Sequence, residues 1–197
     1  LDEPLDDFFF DQSYANVLGA PRPRSDGAPS AQVVNLDARR RIAALPLPGM
    51  PHLGSGITFE YQGRPVLATP NLKDGVVSVI DMKTWKLVRD ITTLGPGFFM
   101  RSHEATPYAW VDAMMSPTAK NTLLVIDKRT LEVAARVSVE PGKTLAHIEF
   151  TKDGRYALAS LWEQDGALIV YDAATFKEVK RLPMSKPVGK YNVWNKI

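Results

Sequence analysis

Apolar residues come in short, strand-length runs broken by polar turn residues, and the arrangement repeats along the chain. Val33-Val34-Asn35-Leu36-Asp37 is followed by Arg41-Ile42-Ala43. Val77-Ser78-Val79-Ile80-Asp81 is followed by Trp85-Lys86-Leu87-Val88, and Leu123-Leu124-Val125-Ile126-Asp127 by Leu131-Glu132-Val133. Leu168-Ile169-Val170-Tyr171-Asp172 is followed by Phe176-Lys177-Glu178-Val179. The four aspartates lie 44, 46 and 45 residues apart. Each unit reads as strand, tight turn, strand. Asp-x-x-Thr supplies side-chain-to-backbone bonds for the turn in three of the four copies.

A second strand pair lies upstream in each unit. Phe150–Ser160 is a hairpin with Asp153-Gly154 at its turn, and Phe59–Ala68 and Phe10–Ala20 are its counterparts. Four strands at a period of about 45 residues is the signature of a propeller blade. The expectation is an all-β chain: a β-propeller of about four blades, each of four antiparallel strands. Its blades fall at 8–47, 52–93, 101–139 and 145–184, and 185–197 starts a further one. Four is the low end for a closed ring, and a partial ring leaves open sheet faces. The chain therefore reads as part of a larger ring, either a fragment or completed by another copy or another chain. Its opening Leu1-Asp2-Glu3-Pro4 reads as the middle of something longer, not as a charged-then-apolar leader.

Composition narrows the function without choosing one. The 197 residues are 45% hydrophobic, and 24 basic against 22 acidic side chains leave a net charge of +2. No strong field calls for nucleic acid, and no apolar stretch is long enough for a membrane span. There is no cysteine. That excludes disulfides, thiolate metal sites and a covalent c-type haem in this chain. No Ser-His-Asp spacing, phosphate loop or carboxylate pair stands out.

The candidate chemistry rests on three histidines. His52 lies 29 residues before Asp81, His103 lies 24 before Asp127, and His147 lies 25 before Asp172. The near-equal offsets predict that His103 and His147 share one level near the axis and one site. His52 joins the same site from a longer blade. Imidazole suits haem iron, a divalent metal or proton transfer, and the spacing does not choose. The plain alternative is that each ring bonds a neighbouring carbonyl. Upstream of His103, Gly95-Pro96-Gly97-Phe98-Phe99-Met100-Arg101 is a turn, an apolar triplet and an arginine. Such a loop is able to lay two aromatics against a flat ligand while Arg101 pairs with a carboxylate; ordinary strand core is the alternative for the triplet. Trp85 reads as blade core. Trp110 and Trp162 follow the histidine segments and are candidates for a pocket wall.

Val76–Asp81, Gly95-Pro96-Gly97-Phe98-Phe99, Arg101-Ser102-His103-Glu104 and Gly189-Lys190-Tyr191-Asn192-Val193 together resemble the haem d1 domain of the cytochrome cd1 family. The resemblance covers nearly the whole chain and corresponds to the later half of an eight-bladed propeller. It implies a periplasmic protein of denitrification with a haem d1 pocket on the axis. Haem d1 carries several carboxylates, which gives Arg101, Lys73 and Arg64 a task, and it brings Tyr191 to the cofactor. Of the two distal histidines of the reductase pattern, the later matches His103, but Asn71 stands where the earlier one belongs; the resemblance implies His103 as a catalytic residue, with His147 as the catalytic histidine that compensates for Asn71. An amide cannot shuttle a proton at neutral pH. The resemblance therefore points to the biosynthetic relatives, which bind or oxidise haem d1 or its dihydro precursor and pass electrons to an acceptor such as a c-type cytochrome. Nitrite reduction to nitric oxide and a cofactor-free interaction scaffold are the competing expectations. The proximal iron ligand is expected from outside this chain.

Overall fold

The computed structural model describes residues 4–21, 31–187, 189 and 190. These form sixteen strands and one short 3₁₀ turn, Leu53–Ser55. The first sheet holds β1 (Leu5–Phe10), β2 (Asn16–Pro21), β3 (Ala31–Asn35) and β4 (Arg40–Leu45). The second holds β5 (Ile57–Tyr61), β6 (Arg64–Pro70), β7 (Val76–Asp81) and β8 (Lys86–Thr92). The third holds β9 (Met100–Ser102), β10 (Tyr108–Asp112), β11 (Thr122–Asp127) and β12 (Glu132–Ser138). The fourth holds β13 (Leu145–Phe150), β14 (Tyr156–Leu161), β15 (Ala167–Asp172) and β16 (Glu178–Pro183). In every sheet the strands pair in chain order and antiparallel, which is the propeller blade the period called for.

The third strands of the second and third blades are buried along nearly their whole length because a neighbouring blade covers each face, whereas β3 and β15 of the first and fourth blades alternate. On β10, Ala109 and Val111 pack toward the second blade while Trp110 packs toward the fourth. Three apolar cores result, one at each junction. Leu18, Val33 and Leu45 meet Leu67, Ile80 and Trp85 at the first. Ile57 and Val79 meet Met100, Leu124 and Ile126 at the second. Trp110 and Val125 meet Ile148, Phe150 and Ile169 at the third. Each buried large side chain contributes about 2 kcal/mol. The fourth strands are polar and exposed, so they form the rim, and the first strands lie innermost.

The repeated turn has one geometry in all four blades. Asp81 Oδ1 accepts the N–H of Lys83 and Thr84, and Asp172 Oδ1 accepts those of Ala174 and Thr175. The fifth residue then takes a left-handed backbone: Arg39, Trp85, Leu131 and Phe176 have φ of 52°, 52°, 58° and 63°. That confirms Trp85, Leu131 and Phe176 as equivalents. It also corrects the first blade, where Asn35, not Asp37, holds the turn through the N–H of Ala38 at 2.7 Å.

The two ends of the blades differ. The chain enters the inner strands at what is called here the upper end, and the loops after the second strands return to it. The hairpins between first and second strands lie at the lower end, with the repeated turns.

A cleft of rings at the upper end

Four rings from three blades run in a row across the upper end. His52 and Phe98 have centroids 4.2 Å apart, Phe98 and Phe99 4.7 Å, and Phe99 and His147 4.2 Å. The Gly-Pro-Gly loop delivers the two phenylalanines to the cleft, so strand core is not their role. Gly97 is required there, since a Cβ would stand 2.2 Å from the carbonyl oxygen of Asp112. Phe99, Met114, His147 and Trp162 line a cavity of about 150 Å³ beside the row. Trp162 is 41% exposed at its mouth, as a pocket wall should be.

His147 sits in a β-bulge. The β13–β14 register shifts between Ala146 and Glu149, and His147 has φ of 53°. A non-glycine residue in that region is strained and is kept only where neighbours over-determine it. Here Asp112 Oδ2 accepts the His147 N–H at 3.2 Å. The N–H of Lys190 donates to His147 Nδ1 at 3.2 Å, so the neutral ring carries its proton on Nε2. The Lys190 ammonium donates to the His147 carbonyl and to Ser160 Oγ. Burial, with Lys190 and Arg101 adding to it, holds the His147 pKa down at about 4, so the ring is neutral. Burial also pulls Lys190 down to about 8. Arg101 Nε lies 3.7 Å from Glu149 Oε2, an ion pair between adjacent inner strands. The cleft thus combines an apolar ring wall with two largely buried cations.

The structure separates the other expected site residues. His52 lies in the row, its Nδ1–H donating to the Phe98 carbonyl at 2.6 Å. Asn71 lies just beneath, but its amide is committed to backbone. Its Oδ1 accepts the N–H of Met50, Lys73 and Asp74, and its Nδ2 donates to Pro48 O at 2.6 Å. Lys73 is exposed on the same upper loop. Trp110 is a correction: it is wholly buried between the third and fourth blades, packed on Tyr171 and Phe176, and walls no pocket. Tyr191 lies outside the described residues.

His103 and His147 do not share a level. The β10–β11 connection spans 113–121 whereas β14–β15 spans 162–166, so equal offsets from the repeated aspartate mark different heights. His103 follows β9 at the lower end. Its Nδ1 accepts the Ala105 N–H at 3.0 Å, and its Nε2–H donates to Lys152 O of the next blade at 3.0 Å. Gly154 makes room for it, since a Cβ there would stand 2.4 Å from His103 Nδ1. The ring pins two blades together. Arg64 is also at the lower end, bonded to Asp81 at 3.2 Å. The residue that meets His147 from the neighbouring blade is Phe99, just before β9.

Asp112 escaped the sequence reading. It is 1% exposed, and it accepts the N–H of Phe98 at 2.7 Å and of Phe99 at 3.3 Å as well as that of His147. One signal existed: in register, Ala20, Pro70 and Ser160 occupy the same place in the other blades, and none is charged.

Fold and cleft together define a β-propeller whose upper end offers a wall of mutually tilted rings and buried cations. The chain belongs to the cytochrome D1 heme domain family, whose model matches residues 3–196. It is 55% identical over 193 residues to the dihydro-heme d1 dehydrogenase of Pseudomonas aeruginosa, covering 98% of this chain and 38% of that protein. It is 31% identical over 146 residues to Protein NirF of Stutzerimonas stutzeri, covering 74% of this chain and 35% of that one. Among solved structures it matches dihydro-heme d1 dehydrogenase NirN in complex with DHE, with a TM-score of 0.93 and 54% identity over 100% of this chain and 41% of that chain. Kuenenia stuttgartiensis hydrazine synthase shares the fold, with a TM-score of 0.68 at 15% identity over 94% of this chain and 51% of that one. No helix among the described residues is long and apolar enough to cross a membrane.

Proposed function

We propose that this chain is the later half of an eight-bladed propeller that binds dihydro-haem d1 and oxidises it to haem d1 in the periplasm. The observation that carries this is the ring row His52–Phe98–Phe99–His147 beside Arg101 and Lys190. A flat, polycarboxylate macrocycle fits such a wall: the rings take its face or edge, and the cations take carboxylates. The 55% identity to a dihydro-heme d1 dehydrogenase points the same way. The remaining blades come from the rest of the ring and complete the pocket.

The substrate supplies the pair of electrons and the pair of protons that its dihydro form holds in excess. The chain's own residues position it and handle a proton. His147 is neutral in the free cleft, and a carboxylate laid against it raises its proton affinity. The Nε2–H is then able to hydrogen-bond the ligand, and the ring takes up a proton at Nδ1 as the Lys190 N–H turns away from it, while the Lys190 ammonium holds the His147 carbonyl in place. Arg101, Lys190 and Lys73 are the carboxylate-pairing groups, with Trp162 beside them. Both electrons leave to a separate acceptor such as a c-type cytochrome, and the second proton leaves to solvent. Asn71 has no part in proton transfer, because its amide is occupied by backbone.

The test is anaerobic incubation of the full-length protein with dihydro-haem d1 and an electron acceptor, followed by visible absorption. Conversion to the haem d1 spectrum is expected, slowed at least about tenfold in His147→Ala. Conversion by His147→Ala at the wild-type rate removes that histidine from the chemistry. No conversion by the wild type removes the dehydrogenase function.

A further inference from the structure

Three of the residues that line the cleft, Phe99, Met114 and His147, belong to three separate segments: the 93–99 loop, the β10–β11 connection and the β13 bulge. All three turn a backbone N–H toward one group. Asp112 Oδ1 accepts Phe98 N–H at 2.7 Å, both oxygens stand 3.3 Å from Phe99 N, and Oδ2 accepts His147 N–H at 3.2 Å. The backbone N–H of Met114 is directed to the same carboxylate. The main chain of Asp112 is tied in as well, since its N–H donates to Phe99 O at 3.1 Å.

We propose that Asp112 is the positioning residue of the cleft: its carboxylate sets the Phe99, Met114 and His147 walls together, and through them the orientation of the tetrapyrrole. This rests on the tetrapyrrole-binding function proposed above. The physical reason is economy of constraint. The loop and the bulge come from different blades, and an aromatic contact alone leaves their relative height free. A carboxylate with several lone pairs directed at fixed N–H groups removes that freedom. It also compensates the left-handed backbone at His147. Asp112 touches no substrate, so it acts through the walls.

The carboxyl group titrates where this shows. Burial raises its pKa to about 6 against the pull of those N–H groups. The charged groups around it are His147 and Glu149 on β13, Arg101 on β9, and Lys190, which feels both Glu149 and Asp112. The 93–99 loop contains no titratable side chain. His147 stays neutral through the range in which Asp112 titrates. Protonation replaces one acceptor with a donor and slackens the walls.

The experiment uses the full-length protein titrated with dihydro-haem d1 between pH 5 and 8, with hydrogen exchange read at the Phe98, Phe99 and His147 amides. Asp112→Asn is expected to weaken binding about tenfold, shift the visible bands, and speed exchange at those amides. Wild-type affinity is expected to fall below about pH 6, and this dependence is expected to vanish in Asp112→Asn. Asp112→Glu keeps the charge but lengthens the arm, so it should shift the bands in the same sense. Wild-type affinity, spectrum and exchange in Asp112→Asn would overturn the proposal. If neither variant folds, wild-type affinity that is flat from pH 5 to 7 overturns it instead. A wild type that binds no tetrapyrrole at any pH overturns the proposed function, and the orienting role falls with it.

Discussion

Phe99 and His147 meet nearly edge to face, at a 62° interplanar angle, from neighbouring blades. One comes from a loop and the other from a bulge, and a single carboxylate accepts both backbone N–H groups. The cleft is therefore a junction between blades three and four, not a feature of either.

Phe99→Ala is expected to separate binding from folding. The side chain is only half-buried, so its loss should cost about 1–2 kcal/mol of stability. It also breaks the ring row at its centre. The affinity of the full-length protein for dihydro-haem d1, read by absorption titration, should fall by more than the stability loss explains.

Acid stability should show two opposed slopes. His147 is neutral when folded, with its pKa lowered to about 4, so its contribution is present above the unfolded value and lost as pH falls toward 4. Asp112 is raised to about 6, so it binds protons more readily when folded, and its contribution falls as pH rises from about 4 to 6. Each spans on the order of 3 kcal/mol, and they largely cancel. Denaturant unfolding of Asp112→Asn should expose the His147 slope: stability rising from pH 4 to 6.5. A flat profile in the variant would contradict the assignment.

His103→Ala should behave as a blade-pinning variant. It removes the two hydrogen bonds that the ring makes with the Ala105 N–H and the Lys152 carbonyl, at a cost of about 2–3 kcal/mol. Gly154→Ala should phenocopy it by displacing the ring, since both the φ of 70° and the space forbid a Cβ. Thermal melting measures the loss. The tetrapyrrole bands of the folded fraction should stay in place.

Asn71→His should not create a nitrite reductase. Imidazole has one acceptor at most in its neutral form, whereas Asn71 Oδ1 serves three N–H groups. The expected outcome is a loss of about 2 kcal/mol or more and no nitrite consumption.

The blades were legible because a period of about 45 residues is written four times, and the turns because Asp-x-x-Thr is a local motif. The misplacement of the first turn came from Asp37, which mimics the repeat two residues beyond the amide that does the work. The levels of the histidines were not legible. Counting from an aspartate assumes equal connections, and the β10–β11 connection is longer than β14–β15. The Phe98-Phe99 wall was visible in the Gly-Pro-Gly setting. Asp112 was not, because its partners are backbone groups of remote segments that leave no mark on side-chain identity. Trp110 looked like a wall since alternation alone does not say which face a neighbouring blade covers.

The strict chain-order pairing of strands has a kinetic consequence. Neighbouring strands in a blade are neighbours in sequence, and the turn between third and fourth strands carries a left-handed residue in all four blades, so a blade can assemble from contacts near in sequence. The junctions, with Asp112 reaching a bulge 35 residues away, form only after two blades exist. During synthesis the blades should appear in order, and the cleft should be the last part of this chain to acquire its shape.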